Sequence, residues 1–332
     1  MRVTVLGAGT WGCALARVLC LNGHSVKVWS RFPQEAEQLT KERKHIHLPG
    51  MTIPDEVLFL SCPEKAAANT EVYLVVVPSV YVRETISAFV PFLHRDDIIV
   101  CASKGIENDT LMTMTEVIRD EIGRASSETF RTAVLSGPTH AEEVAVDMPT
   151  LILCASDDIR TAEAVQRLFD GSCIRPYTST DVKGVEICGA LKNVEALAVG
   201  IANGLGYGDN TRAALITRGI AEISRLGHAM GCDDATFAGL AGIGDLIVTA
   251  TSMHSRNNRA GTLIGQGMSP EEAVRKVGMV VEGLNALPAA VKLCEKYHMD
   301  MPLIDAVRRI AEDGEDPGNT VRELMARRLR RE

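Results

Sequence analysis

No run of apolar residues in this 332-residue chain approaches the length needed to cross a membrane. The first residues, MRVTVLGAGTWG, also lack the apolar block and small-residue cleavage site of a secretory signal, so a cytoplasmic protein is expected. The nine cysteines include no CxxC pair, and their odd number and scatter favour reduced thiols over disulfides or a zinc site. His45 and His47 in KHIHLPG have no clustered third ligand, and no metal is assigned to them. Positive charge is not in excess either: a net charge of -8 argues against a general nucleic-acid surface. An anionic small molecule would then need a local basic pocket. Tandem repeats and low-complexity segments are absent.

What is there suits a soluble folded protein of two domains, with 46% hydrophobic and 23% charged residues. In the first half, short β-branched runs alternate with helical stretches: RVTVL, SVKVW, EVLFL, EVYLVVV, DIIVCA, RTAVL, TLILC and CIRPY. Several are continuously apolar, as parallel strands covered on both faces are. The pattern predicts an α/β, Rossmann-like, doubly wound sheet over residues 1–180. After Thr180 strand-like runs cease, and glycine clusters such as GLGYGDN and AGIGD punctuate helical stretches. An all-α domain over 181–332 is predicted, opening on a Ser-Thr-Asp start signal. The terminal MARRLRRE reads as a solvated helix end, whose cations suit a helix C-terminus.

Gly7, Gly9 and Gly12 in VLGAGTWGCALA form GxGxxG between an apolar strand and a helical run. The spacing alone is weak, but a strand before it, a helix after it and a second strand ending at Trp29 supply the dinucleotide-binding context. The first glycine permits a tight turn, the second lets backbone approach a pyrophosphate, and the third allows close helix packing. The second strand ends in Ser30 and Arg31 rather than in an acid. An arginine there can accept a 2'-phosphate, so use of NADP(H) is inferred, with an exposed loop residue as the alternative. Pro78 with Ser79, Lys104 with Gly105, and Gly137 with Pro138 and Thr139 each follow a later strand. Singly these are ordinary turn residues; together they outline one crevice at the carboxyl ends of the strands.

In the helical half, CGALKNVEALAVG sets Lys192 among Leu191, Val194, Leu197 and Val199. A buried ammonium needs a partner, whereas a snorkelling one does not, and this segment alone leaves both open. Further on, Asp245 follows a glycine-rich turn, and Ser255, Arg256 and Asn257 form a donor cluster suited to a phosphate monoester.

With GAGTWGCALA, VVVPS, SKGIE, LSGPTHAEEVA, DVKGVEICGALKNV, GLAGIGDLIVT, SRNNRAG and VVEG in this order from about residue 5 to 283, the sequence resembles the soluble bacterial NAD(P)-dependent sn-glycerol-3-phosphate dehydrogenases. The resemblance implies a helical domain like the C-terminal domain of 6-phosphogluconate dehydrogenase. It implies that Thr10, Trp11, Arg31, Lys104, Ala141, Arg256, Val280 and Glu282 join the glycines at NAD(H) or NADP(H). Lys104, Gly137, Thr139, Asp245, Ser255, Arg256 and Asn257 would hold the substrate, and Lys192 matches the catalytic lysine, with Asn193 in the same motif. It further implies reversible reduction of dihydroxyacetone phosphate to sn-glycerol 3-phosphate for phospholipid synthesis, and a homodimer.

Three positions depart from the family pattern. Phe32 stands where a second basic residue is common, which weakens strict NADP preference. His140 occupies an expected aromatic position, and Glu195 an expected apolar one, three residues after Lys192 and within reach of a helical pairing with it. Two rival functions are a β-hydroxyacid dehydrogenase of the 6-phosphogluconate or hydroxyisobutyrate kind, against which SRNN and AGIGD argue, and a non-catalytic NAD(P)-binding redox sensor, which gives Lys192, Asp245 and Arg256 no role.

Overall fold

A computed structural model describes residues 1–125 and 130–328. The last four residues of MARRLRRE lie outside the described residues; the final described helix, Pro317–Met325, ends where that segment begins. The chain divides into two compact units, Met1–Lys104 with Met112–Glu186, and Gly105–Leu111 with the residues from Ile187 onward. The division falls inside a helix, Val182–Gly204, whose start is capped by Asp181 Oδ1 accepting from Gly184 N at 3.0 Å. The short Gly105–Leu111 segment joins the second unit through Asn108, which donates to Asn285 O at 3.3 Å and accepts from Lys292 Nζ at 2.8 Å.

All eight apolar runs form strands: β1 (Arg2–Leu6), β2 (Ser25–Trp29), β3 (Leu58–Leu60), β4 (Val72–Val75), β5 (Ile98–Cys101), β6 (Arg131–Ser136), β7 (Thr150–Ala155) and β8 (Ile174–Ser179). They make one sheet in the order β3-β2-β1-β4-β5-β6-β7-β8. The first six strands are parallel. Their order reverses direction between β1 and β4, which is the switch point at which dinucleotides bind. β4 and β5 are buried at every residue, as expected of strands covered on both faces. β7 departs from this scheme by running antiparallel to β6. β7 and β8 alternate buried with more exposed positions, and β8 tolerates Pro176 because it lies at the sheet edge.

Two apolar layers cover the sheet. One includes Leu15 and Leu19 of the Thr10–Leu21 helix with Val3, Val5, Val28 and Phe169; the other gathers Tyr73, Phe89 and Ile118 around Leu6 and Val75. The second unit contains no strand among the described residues. Its helices approach closely through glycine: a Cβ on Gly200 would lie 2.3 Å from Asn258 O, and one on Gly261 2.2 Å from Leu197 O. This brings the Arg256–Gly265 helix against the Lys192 helix backbone to backbone, fixing the residues at its N-terminus.

Candidate functional site

The glycine turn follows β1 at the switch point. Gly7 adopts φ +123°, a conformation that favours glycine, and a Cβ there would meet Val76 O at 2.8 Å. A Cβ on Gly12 would fall 2.0 Å from Gly7 O, so the helix closes onto the turn only without a side chain. Gly9 differs, since a Cβ there would meet nothing within 4 Å. It is the N-cap of the Thr10–Leu21 helix and gives that end no side-chain cap. The first N–H groups of a helix placed in this way are the donors that a pyrophosphate takes. Thr10 and Trp11 are half-buried in the first turn, and Trp11 packs against the core below.

The other strand ends fall along the same edge of the parallel sheet. Ser103 Oγ donates to Val77 O at 2.6 Å, tying the end of β5 to that of β4. Lys104 then sends its ammonium to Gly137 O at 3.0 Å and Thr139 Oγ1 at 3.3 Å, so three predicted residues from two strand ends meet. Gly137 takes φ +125° to make this turn. Ala141 is buried in the short helix after His140, whose backbone carbonyl accepts from Glu143 N and Val144 N, both at 3.2 Å.

At the end of β2, Arg31 is more than half exposed and pairs with Glu84 at 2.7 Å. Ser30 Oγ donates to a carboxylate that sequence reading missed, Glu35. That acid comes from the following helix, Pro33–Glu42, not from the strand end where such an acid is usually sought. Both a cation and a carboxylate are therefore present near the place where the adenosine ribose is read.

In the second unit, Lys192 is 6% exposed and does not snorkel. Its Nζ lies 2.8 Å from Asp245 Oδ1 and donates to Thr249 Oγ1 at 2.6 Å. Thr249 in turn donates to Asp245 O at 2.7 Å, four residues back along its helix. The hydroxyl's lone pair is thereby aimed at the ammonium. Thr249 escaped sequence reading, although its i+4 spacing from Asp245 in DLIVT is the signal that marks a shared face.

Asn193, next to Lys192, donates to Gly189 O at 3.2 Å and accepts from Asn257 Nδ2 at 2.9 Å. Asn257 Oδ1 accepts from Gly283 N at 2.8 Å, linking the Lys192 helix to the segment bearing Val280 and Glu282. One Nδ2 hydrogen of Asn257 remains for a ligand. Ser255 is the N-cap of the Arg256–Gly265 helix, accepting from Asn258 N at 3.2 Å. Arg256 is half-buried at the first position of that helix, and its guanidinium has no hydrogen bond or ion pair among the described residues. Cation and helix N-terminus together suit a phosphate. Glu195 does not pair with Lys192; its carboxyl lies against Gly219 of the next helix.

The 3-2-1-4-5-6 strand order, the glycine turn and the buried lysine beside an anion-ready helix end define a dinucleotide-dependent oxidoreductase with a helical second unit. Comparison with known proteins narrows that class. The family model of the NAD-dependent glycerol-3-phosphate dehydrogenase N-terminus matches residues 2–162, and that of its C-terminus residues 181–322. A Lactobacillus delbrueckii subsp. bulgaricus protein named glycerol-3-phosphate dehydrogenase [NAD(P)+] 2 is 53% identical over 332 residues, covering 100% of this chain and 98% of its own. An Agathobacter rectalis glycerol-3-phosphate dehydrogenase [NAD(P)+] is 49% identical over 98% of this chain and 96% of its own. The crystal structure of glycerol-3-phosphate dehydrogenase from Coxiella burnetii superposes with a TM-score of 0.93 at 35% identity, covering 98% of this chain and 99% of that one. The chain belongs to the NAD-dependent glycerol-3-phosphate dehydrogenase family and is an NAD(P)-dependent oxidoreductase.

Proposed function

We propose that this enzyme reversibly reduces dihydroxyacetone phosphate to sn-glycerol 3-phosphate, with Lys192 as general acid and base. The observation that carries this reading is the buried Lys192, charge-paired to Asp245, oriented by Thr249, and linked through Asn193 and Asn257 to the helix end bearing Ser255 and Arg256. The names of the relatives supply the substrate.

The nicotinamide, when bound, supplies or accepts the hydride. Gly7, Gly9, Thr10, Trp11 and Gly12 hold the pyrophosphate side of the dinucleotide, and Arg31 its ribose end; Lys104, Ala141, Arg256, Val280 and Glu282 complete that site. As the C2 ketone becomes an alcohol, negative charge develops on its oxygen. Lys192 stabilises that charge and gives its proton to the oxygen, leaving a neutral amine. Asp245 keeps its negative charge throughout, so it favours return of a proton from solvent to the amine. General acid–base catalysis of this kind is worth about 10²- to 10⁴-fold. Arg256, Ser255 and Asn257 bind the phosphate, and Lys104, Gly137 and Thr139 are the further substrate-binding residues of this reading.

The reading extends to a cytoplasmic homodimer whose product feeds glycerophospholipid synthesis. Among the described residues no single helix is long and apolar enough to cross a membrane. Purified protein should oxidise NADPH or NADH with dihydroxyacetone phosphate and not with 3-oxoacids. The reverse preference favours a β-hydroxyacid dehydrogenase, and no turnover with either favours a sensor.

A further inference from the structure

With Asp245 as the partner of Lys192, a second buried acid on the same helix stands apart from any cation. Glu195 is 1% exposed, and its Oε1 has no hydrogen-bond partner among the described residues. Its other oxygen lies where a Cβ on Gly219 would be 2.8 Å away, so the carboxyl occupies space that only a glycine on the Asp209–Ala229 helix leaves. Three residues further along that helix, on the same face, stands Glu222, also 1% exposed. Glu222 Oε2 accepts from Leu303 N at 3.0 Å. Leu303 is the second residue of the Pro302–Ala311 helix, whose N-terminus has no side-chain cap from its own N-cap residue and whose first residue, Pro302, has no N–H.

The charged and titratable groups that act on these carboxyls are few. Arg218 and Arg225 lie on Glu222's own helix, Asp300 precedes Pro302, and the Cys294 thiol belongs to the Glu282–Lys296 helix. From the Lys192 helix comes Glu195 itself, on which Glu222 acts. Two neighbouring buried carboxylates cannot both ionise cheaply.

We propose that Glu195 and Glu222 form a proton-holding pair that joins the Lys192 helix to the Asp209–Ala229 and Pro302–Ala311 helices, and that loss of its protons as pH rises loosens the helical unit. The electrostatics run the same way. Burial and the charge of Glu222 push Glu195 well above the carboxylate range. Burial lifts Glu222 to about 7, against the opposing pull of the Leu303 N–H, Arg225 and Arg218.

An acid whose folded value is raised holds a proton that the unfolded chain releases. Its stabilisation is complete below the unfolded value, 4.5, and is lost as pH rises, through about 7 for Glu222, with Glu195 shifted in the same direction. Within this window each group weakens the folding equilibrium by up to about tenfold per pH unit.

The test is denaturant unfolding of the full chain from about pH 5.5 to 8.5, for wild type, Glu195→Gln and Glu222→Gln. Each variant should flatten the fall in stability by up to one proton, that is by about tenfold per pH unit less, because an amide cannot titrate. Curves for both variants parallel to wild type overturn the proposal. So does failure of both to fold near pH 6, below the value of about 7 at which Glu222 titrates, where an amide replaces a protonated acid without a change of charge.

Discussion

Replacing Asp245 with Asn keeps the shape of the side chain and removes the charge opposite Lys192. The two groups are 7% and 1% exposed and 2.8 Å apart, so the ammonium would be left buried without its counter-ion. Removing one partner of such a pair costs about 3–5 kcal/mol. Thr249 Oγ1, 2.6 Å from the same nitrogen, remains as an acceptor. That places the expected loss near the lower end, about 3 kcal/mol. Turnover should fall by about 100-fold or more, since the amine is no longer held charged in one place. The companion variant Lys192→Met/Asp245→Leu removes both charges and fills the space with apolar groups. Exchange of a buried pair for hydrophobic residues is often neutral or better, so stability should return to within about 1 kcal/mol of wild type while activity stays lost. Chemical unfolding gives the first quantity and steady-state NADPH oxidation the second. A D245N protein as stable as wild type, or a double variant no more stable than D245N, would refute the reasoning.

Arg31→Ala should raise the KM for NADPH about tenfold, as loss of a charge-assisted bond of about 1.5 kcal/mol would, and leave NADH unchanged; an equal effect on both cofactors contradicts a role at the 2'-phosphate. Gly12→Ala would drive a Cβ to within 2.0 Å of Gly7 O, so NADPH binding followed by fluorescence should be lost, and an unchanged Kd would count against the turn geometry. Arg256→Ala should raise the KM for dihydroxyacetone phosphate by at least about tenfold, the effect of losing one charged hydrogen bond. An unchanged KM would move the phosphate elsewhere.

Much of the fold is legible in the sequence because its signals are local. Within EVYLVVV and DIIVCA, VYLV and IIVC carry no charge, and they are the two strands buried along their whole length. GxGxxG carries its own explanation in the close approaches at Gly7 and Gly12. The reversal of β7 has no such local mark: TLILC reads like any buried strand, and its direction depends on how the chain between β6 and β7 returns. At the site, residue types and motif order point to Lys192, Asp245 and Arg256. Thr249 and Glu35 are less visible, since a threonine in a helix and an acid six residues past a strand have many ordinary uses. Glu195 shows the limit most clearly. Three residues from Lys192, it looks like a helical partner in sequence; in space it rests on Gly219, where the missing side chain of a different helix decides its position.

The central claim is that Lys192 is the proton donor and acceptor, and replacing Lys192 with Met in the full-length enzyme tests it most directly. Turnover of dihydroxyacetone phosphate should fall by at least about 10²-fold, the scale of general acid–base catalysis, while NADPH binding measured separately stays within about twofold of wild type. Turnover within about tenfold of wild type, with binding intact, would contradict it.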